Sequence, residues 1–141
     1  DTPNIYNPLS TQSLLSSSGV PVSDTQRELL GAFVALLRDW NSRINLISRK
    51  DEEQVWRNHI LHSLAVLAVT DVPVQGAMLD LGTGGGMPGI PLAIMRPEVR
   101  FTLVDSIAKK IKAVEDMVAA VRTCERLAEV WARSPRTITV T

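Results

Sequence analysis

The sequence predicts an α/β fold in which a parallel, Rossmann-like sheet follows an N-terminal helical extension. Three observations lead to this prediction. A short apolar run ends in a glycine-rich loop that opens a helix, a second apolar run further on ends in an acid, and two amphipathic segments precede both. A strand, a tight glycine turn and a helix, in that order, are typical of a sheet that binds a nucleotide-like ligand at the turn.

Length and composition allow one domain with a small appendage. The chain has 141 residues with 15 basic and 15 acidic side chains, so its formal net charge is zero. This balance argues against a broad electrostatic attraction to nucleic acid and leaves room for a local basic patch. The single cysteine, Cys124, cannot form an internal disulfide. The longest apolar run, residues 64–69, is too short to cross a membrane, and no secretory leader opens the chain, so we expect a cytoplasmic protein.

The N-terminal part divides into an arm and a helical subdomain. Residues 1–22 are polar and serine-rich, whereas residues 23–76 carry two amphipathic patterns. Ser23 and Gln26 have the spacing of a capping box. Apolar residues then recur at every third or fourth position, which predicts a helix over about residues 24–40.

A second amphipathic pattern predicts a helix over about residues 51–68, with Asp51 and Gln54 as a weaker capping box. His59 and His62 lie three residues apart on this helix, a spacing that can share a metal ion. No third ligand accompanies them in the sequence. We therefore expect hydrogen-bonded histidines and no metal.

The glycine-rich loop is the feature on which the functional interpretation depends. The apolar run 78–81 contains Asp80 and leads into four glycines within five residues, 82–86, with Gly89 next along the chain. Glycine permits positive φ and lacks a Cβ, so a ligand can approach the backbone N–H groups closely. The alternative is a glycine-rich turn without a ligand, but that turn would cost backbone entropy without compensation.

Two nucleotide-binding patterns fit this loop. Asp-x-Gly-x-Gly-x-Gly, the pattern of Rossmann-like methyltransferases, is formed by Asp80, Gly82, Gly84 and Gly86. Gly-x-Gly-x-x-Gly, the dinucleotide fingerprint of NAD enzymes, is formed by Gly84, Gly86 and Gly89. Asp105, which ends the second strand, can accept hydrogen bonds from the ribose of either cofactor. Asp80 favours S-adenosylmethionine, because a carboxylate attracts its cationic amino acid end and would repel a pyrophosphate.

The segments after the loop continue the alternation of helix and strand. A helix is predicted to begin near residues 88–90 and to end before Pro97, and the second strand covers residues 100–105. Ser106 is a plausible cap for a further helix over residues 107–120. The first half of that helix contains Lys109, Lys110 and Lys112. These lysines could hold phosphates or form a solvated face, and the sequence leaves both open.

The chain resembles the bacterial small-subunit ribosomal RNA guanine-N7 methyltransferases, also called the glucose-inhibited division protein B family. The matching residues are Trp40-Asn41, Asn45-Leu46, His59-Ile-Leu-His-Ser-Leu64, Leu79-Asp-Leu-Gly-Thr-Gly-Gly-Gly-Met-Pro-Gly-Ile-Pro-Leu92, Arg96-Pro97, Leu103-Val-Asp-Ser106 and Lys109-Lys110. The Gly-Met-Pro-Gly-Ile-Pro extension, residues 86–91, is more specific than the generic loop. Two positions depart from the family pattern: Asn58 stands where Arg is usual, and His62 where Asp is frequent.

The resemblance implies a class I methyltransferase sheet and a methyl transfer to guanine N7 in 16S ribosomal RNA, either free or in a small-subunit assembly particle. A monomeric enzyme is expected. No catalytic acid or base is expected, because N7 carries a lone pair and no proton. The residues implied to bind S-adenosylmethionine are Asp80, Gly82, Thr83, Gly84, Gly86, Asp105 and Ser106. The candidates for contact with the RNA are Lys109, Lys110, Arg122 and Arg136.

The C-terminal part is short for this fold. Residues 77–141 would have to form the cofactor-binding domain, which the family builds from seven strands. Residues 121–134 could form a helix and residues 136–141 a last strand, and residues 121–123 stand where the family has a Ser-Arg-Ala segment. We therefore expect missing segments near positions 120/121 and 134/135.

Three alternative functions remain open. An NAD-dependent oxidoreductase would place a pyrophosphate on the loop from Gly84 to Gly89. A methyltransferase acting on a small molecule or a protein would share the cofactor site and differ in the acceptor. A non-catalytic module would bind S-adenosylmethionine or RNA and transfer nothing.

Overall fold

The structure is a computed structural model and describes residues 8–70, 72, 76–123 and 138–141. Helices and strands alternate in the second half of the described chain, after an all-helical first half. In chain order the elements are α1 (Pro8–Ser16), α2 (Asp24–Asn41), α3 (Arg49–Glu52), a π-helical segment (Trp56–Leu61), α4 (His62–Val69), β1 (Ala77–Leu81), α5 (Gly89–Met95), β2 (Arg100–Val104), α6 (Ala108–Arg122) and β3 (Ile138–Val140).

The three described strands form one parallel sheet in the order β1-β2-β3. Ala77 lies opposite Arg100 in β2, and Phe101 lies opposite Ile138 in β3. Because the strands are parallel, their carboxyl ends meet at one edge of the sheet. The α/β class and the two predicted strands are confirmed, and the segments after β1 and β2 come together at this edge.

The helices cover one face of the sheet. Helix α5 packs on β2 and contacts both α2 and α4, while α6 packs on β3 and α2. Phe101 and Leu103 of β2 point into this helical layer and are buried. On the opposite face, Leu79 is 60% exposed and Leu81 is 73% exposed. Within the described residues the hydrophobic core therefore lies between the sheet and the helices, on one side only.

Helix α2 forms as its sequence pattern predicts. Ser23 is the N-cap, its side chain accepts from the backbone N–H of Gln26, and the Gln26 side chain accepts from the Ser23 N–H in return. These two bonds satisfy backbone donors that have no partner within the helix. The apolar face of the helix, including Phe33 and Leu37, is fully buried.

The second predicted helix is divided into three parts, α3, the π-helical segment and α4. The predicted capping box is wrong: Ser48 is the N-cap, and its side chain accepts from the backbone N–H of Asp51. The prediction missed this cap because the apolar pattern begins only at Val55, after α3 has ended. Trp56 and Ile60 are buried, as the apolar stripe predicts.

Helix α5 lies at the centre of the fold, and all of its residues are buried. It starts at Gly89 and ends before Pro97, as predicted. Helix α6 runs unbroken through residues 120 and 121, where a missing segment was expected, and the second expected position, 134/135, lies outside the described residues. Both expectations stay predictions, as does the division of the chain into an arm, a helical subdomain and a sheet domain.

The close packing of α5 on the sheet predicts a specific cost for a methyl group at Gly89. An added Cβ would lie 2.7 Å from Cγ of Leu103 and 2.9 Å from Oδ2 of Asp80. We expect Gly89→Ala to lower the free energy of unfolding by about 1–3 kcal/mol, because the sheet and the helix would have to separate. Urea unfolding followed by circular dichroism measures the change.

The matched control is Gly31→Ala in α2, where an added Cβ meets nothing within 4 Å. Alanine is the better helix former, so this variant should be more stable than the parent by roughly 0.5–1 kcal/mol. Equal stability of the two variants would contradict the close packing of α5 on the sheet.

Candidate functional site

The glycine-rich loop, residues 82–89, joins β1 to α5 at the carboxyl edge of the sheet. Its first two residues are held by the end of β2, because the Val104 carbonyl accepts from the N–H of Gly82 at 2.7 Å and from that of Thr83 at 2.9 Å. The loop therefore leaves the sheet in a defined direction.

Asp80 holds the two ends of this loop together. Its Oδ2 accepts from the Thr83 hydroxyl at 2.7 Å and from the backbone N–H of Gly89 at 3.0 Å. Thr83 is buried, so this bond also satisfies a polar side chain that has left water. The Gly89 N–H is one of the unpaired donors at the start of α5, where a negative charge is favourable. In the structure, Asp80 thus fixes the shape of the loop.

Three glycines of the loop are required by packing. A Cβ on Gly86 would overlap Ile90, and one on Gly89 would overlap Leu103. A Cβ on Gly85 would lie 3.0 Å from Cδ1 of Leu37 and 3.3 Å from Cβ of Leu46. At these positions the missing side chain allows the loop to pack against its own helix, the sheet and the helical subdomain.

Gly82 and Gly84 differ from those three. Both have positive φ, at 72° and 57°, yet a Cβ on either would meet nothing within 4 Å. Backbone conformation favours glycine here, and the space beside each α-carbon is open. An open, side-chain-free surface on a turn at the carboxyl edge of a parallel sheet fits the close approach of a ligand.

Asp105 comes directly after β2 and faces the same loop. Its Oδ2 accepts from the N–H of Gly84 at 2.9 Å, and its Oδ1 accepts from the N–H of Ile107 at 2.9 Å. The N–H groups of Ile107 and then Gly84 hold the pKa of this carboxyl below its usual value, and the charge of Lys110 acts in the same direction. Asp105 is therefore a stable anion that connects the loop to the start of α6.

Ser106 is not the cap of α6, contrary to the prediction. The N-cap position is Ile107, which has no capping side chain, and Asp105 accepts its N–H in place of a serine hydroxyl. A carboxylate is the stronger acceptor for a backbone N–H. Ser106 lies exposed beside Asp105, and its role in binding a ligand stays a prediction.

The structure separates the predicted RNA-contacting residues. Lys109 and Lys110 lie in the first turn of α6, close to Asp105, whereas Lys112 forms an exposed ion pair with Asp116 at 3.1 Å. Arg122 lies at the other end of α6, about 20 Å away along a helix of that length.

The Arg122 guanidinium donates to the carbonyl of Ile138 at 2.8 Å, at the start of β3 and therefore at the edge opposite the glycine loop. The structure does not bring Arg122 to the cofactor loop, because the length of α6 carries it away. Arg136 lies outside the described residues.

The two histidines lie apart from the loop. Nε2 of His59 is 3.5 Å from Oδ2 of Asp51, and His62 is exposed. Asn58, which departs from the family pattern, donates to Oδ1 of Asp51 at 2.9 Å and is the main reason that the pKa of Asp51 lies below its usual value. Among the described residues, no group of three or more His, Cys, Asp or Glu is placed to hold a metal ion.

Sequence reasoning missed the contribution of the helical subdomain to this site. The side chains of Leu37 and Leu46 line the back of Gly85. Asn41 holds the segment before α3, since its Oδ1 accepts from the N–H of Leu46 at 2.9 Å and of Ile47 at 3.0 Å. No spacing pattern in the sequence indicates this contribution, although Asn41 and Leu46 both belong to the residues that carry the resemblance.

The two hydrogen bonds of Asp105 predict a pH-dependent stability. Because its folded pKa is lowered, the stabilisation is complete above the unfolded pKa, near about 3.9, and is lost as the pH falls through the folded value. We expect Asp105→Asn to lower the free energy of unfolding by about 1 kcal/mol at pH 7, a modest value because solvent screens a partly exposed carboxylate. The difference from the parent should shrink below about pH 4.

Urea unfolding at a series of pH values measures this difference. Asp116→Asn is the control, because it removes the same charge from an exposed ion pair that contributes less than about 0.5 kcal/mol. A constant difference between Asp105→Asn and the parent down to about pH 3 would contradict the proposed linkage.

Comparison with known proteins gives a consistent result. Residues 26–130 match the family model described as rRNA small subunit methyltransferase G. Ribosomal RNA small subunit methyltransferase G of Parabacteroides distasonis is 46% identical over 114 residues, which cover 81% of this chain and 50% of that protein. The protein of the same name from Chlorobium limicola is 49% identical over 105 residues, covering 74% of this chain and 48% of the relative.

The chain spans about half the length of the curated relatives that it matches. No helix within the described ranges is long and apolar enough to cross a membrane. The family match includes both the helical subdomain and the glycine loop, so the two parts that form the candidate site are matched together. On this match, the chain belongs to the rRNA small subunit methyltransferase G family, and this membership implies a methyl donor.

Proposed function

We propose that the chain binds S-adenosylmethionine on the loop 82–86 and that the protein to which it belongs methylates N7 of a guanine in 16S ribosomal RNA. The observation that carries the proposal is the open surface at Gly82 and Gly84, which faces no other part of the described chain and lies beside Asp105. Family membership supports a methyl donor rather than another nucleoside ligand.

Asp105 is the proposed ribose-binding residue. Each of its oxygens accepts one backbone N–H, from Gly84 and from Ile107. An ionised carboxylate has about four acceptor positions in all, so each oxygen keeps one for a ribose hydroxyl. The same residue can then hold the loop and bind the cofactor at once, with Ser106 beside it.

Asp80 has a different proposed role. Its Oδ2 is engaged by Thr83 and Gly89, so it acts mainly by holding the loop in shape. Its negative charge at the base of the loop also favours the cationic amino acid group of the cofactor over a pyrophosphate. Thr83 is buried and contributes through Asp80 rather than through direct contact.

The proposed reaction requires no general base. S-adenosylmethionine, when bound, supplies a methyl group that is already activated by its sulfonium. Guanine N7 offers a lone pair and loses no proton in the transfer. The residues of the chain bind and orient the two reactants and exclude water, and most of the rate gain would come from this placement.

The remaining alternatives are less well supported. An NAD-dependent oxidoreductase would need a pyrophosphate beside Asp80, where a negative charge is unfavourable, and family membership argues against it. The relatives are named as ribosomal RNA enzymes, which favours RNA over a small molecule or protein as the acceptor. That the substrate is free RNA or an assembly particle, and that the protein is a cytoplasmic monomer, stay predictions.

Cofactor binding is the first test of this proposal. Isothermal calorimetry with S-adenosylmethionine and, separately, NAD should give saturable binding of the first alone. Asp105→Asn should weaken it roughly ten- to a hundredfold, because hydrogen bonds to a charged acceptor are lost. Asp116→Asn, which removes the same charge elsewhere, should leave it unchanged. Binding of NAD without S-adenosylmethionine would overturn the proposal.

The acceptor atom can be tested separately. Transfer of a labelled methyl group should be detected on 16S ribosomal RNA and on small-subunit particles from cells that lack the modification. We expect no transfer to RNA transcribed with 7-deazaguanosine, in which a carbon replaces N7. A label incorporated equally into the deaza RNA would exclude N7 as the acceptor, whatever the result of cofactor binding.

A further inference from the structure

A polar cleft of about 540 Å³ lies between the helical subdomain and the start of α6. No residue of the glycine loop lines it. We define the polar cleft by the residues that matter for its chemistry, which are Asn41, Arg43, Asn45, Arg49, Glu52 and Lys109.

The polar cleft has a surplus of positive charge. Three of its side chains, Arg43, Arg49 and Lys109, are cationic, and Glu52 is the one anion among its lining residues. The Glu52 carboxylate already accepts from Nδ2 of Asn41 at 3.0 Å. A local excess of this kind is notable in a chain whose formal net charge is zero.

Two of these cations have no partner in the described part of the chain. No carboxylate there lies within ion-pair distance of Arg49 or Lys109. Arg43 is partly engaged: its guanidinium lies 4.0 Å from the ring centre of Trp40, and its Nη2 is 2.7 Å from Oδ2 of Asp39. Stacking on Trp40 holds the Arg43 guanidinium in one orientation.

The walls of the polar cleft are fixed before any ligand binds. Asn41 accepts from the N–H groups of Leu46 and Ile47 and donates to Glu52, so it connects the end of α2 to α3. A preformed wall lowers the entropy cost of binding.

The polar cleft adjoins the glycine loop on two sides. Asn45 precedes Leu46, whose Cβ lies beside Gly85, and Lys109 lies one turn after Asp105, which bonds to Gly84. A strand of RNA held in the polar cleft would therefore lie next to the proposed cofactor site.

From these observations we propose that the polar cleft binds a backbone phosphate of single-stranded RNA next to the nucleotide to be methylated. Arg49 and Lys109 would neutralise the phosphate charge, and Arg43 and Asn45 would supply further donors. The proposal rests on the proposed function for its substrate class. It assigns the helical subdomain a part in substrate binding.

The test compares two double variants of equal charge. Arg49→Gln with Lys109→Gln removes both unpartnered cations of the polar cleft. The control, Lys50→Gln with Lys112→Gln, removes two cations from the same helices, α3 and α6, at positions that do not line it. The probe is a fluorescein-labelled single-stranded RNA of about 12 nucleotides that contains guanine, within the site size of single-strand binding proteins. Its dissociation constant is measured by anisotropy over a range of KCl concentrations.

We expect the cleft variant to bind the RNA at least about tenfold more weakly at roughly 100 mM KCl and the control variant to change less than about twofold. Each lost phosphate contact to a single strand reduces the slope of log K against log salt by about 0.7, so the cleft variant should lose about 1.4. The variant Arg49→Lys with Lys109→Arg keeps the charges and should retain binding, which separates loss of charge from loss of fold.

Several outcomes would overturn the proposal. These are equal weakening in the cleft and control variants, unchanged binding in the cleft variant, no binding of the RNA by the parent chain, and displacement of the RNA by an octaglutamate peptide at equal charge. Calorimetry with S-adenosylmethionine on the same variants keeps the two proposals apart. Loss of cofactor binding with intact cleft-dependent RNA binding would overturn the proposed function and leave the polar cleft standing.

Discussion

The bond pair at Asp80 is the constraint on which the rest of the site depends. A single carboxylate oxygen accepts from Thr83 near the start of the glycine loop and from Gly89 at its end. The loop between them is thereby closed into a short arch, whose first residues are also held by Val104 of β2. Without this closure, the many glycines would leave the loop with large conformational freedom, and a ligand would have to order it at the time of binding. The arch makes the binding surface available in advance.

The glycines serve this arch in two ways. Gly85, Gly86 and Gly89 allow close packing behind the loop, whereas Gly82 and Gly84 leave its front open. The two nucleotide-binding patterns in the sequence mix these roles, since each includes glycines from both groups. Only the distances to Leu103, Ile90 and Leu37 separate them. Gly89, which belongs to the dinucleotide fingerprint alone, is explained by helix–sheet packing, and its presence therefore gives no support to a pyrophosphate at this position.

The sequence predicted the fold class, both strands of the first βαβ unit and the helix α2 because these depend on local periodicity and capping. It placed Asp105 correctly at the end of β2 and at the loop. It failed where tertiary geometry decides. The cap of α6 is Asp105 rather than Ser106, because the carboxylate reaches the Ile107 N–H. Arg122 was predicted near the substrate, but the length of α6 takes it to the opposite edge of the sheet. The π-helical segment has an ordinary helical stripe of apolar residues, so no pattern distinguishes it.

The helical subdomain is part of the site and not only a cover for the sheet. Residues of α2 and the segment after it, notably Leu37 and Leu46, belong to the same hydrophobic core as α5 and α6. Leu46 lies against the back of Gly85 while its neighbour Asn45 lines the polar cleft. A displacement of this segment would therefore change the support of the glycine loop and the shape of the polar cleft together. Because interiors are close-packed and transmit strain, binding at either place should favour the arrangement that suits the other. The helices before the sheet thus provide a physical route by which substrate and cofactor binding become coupled.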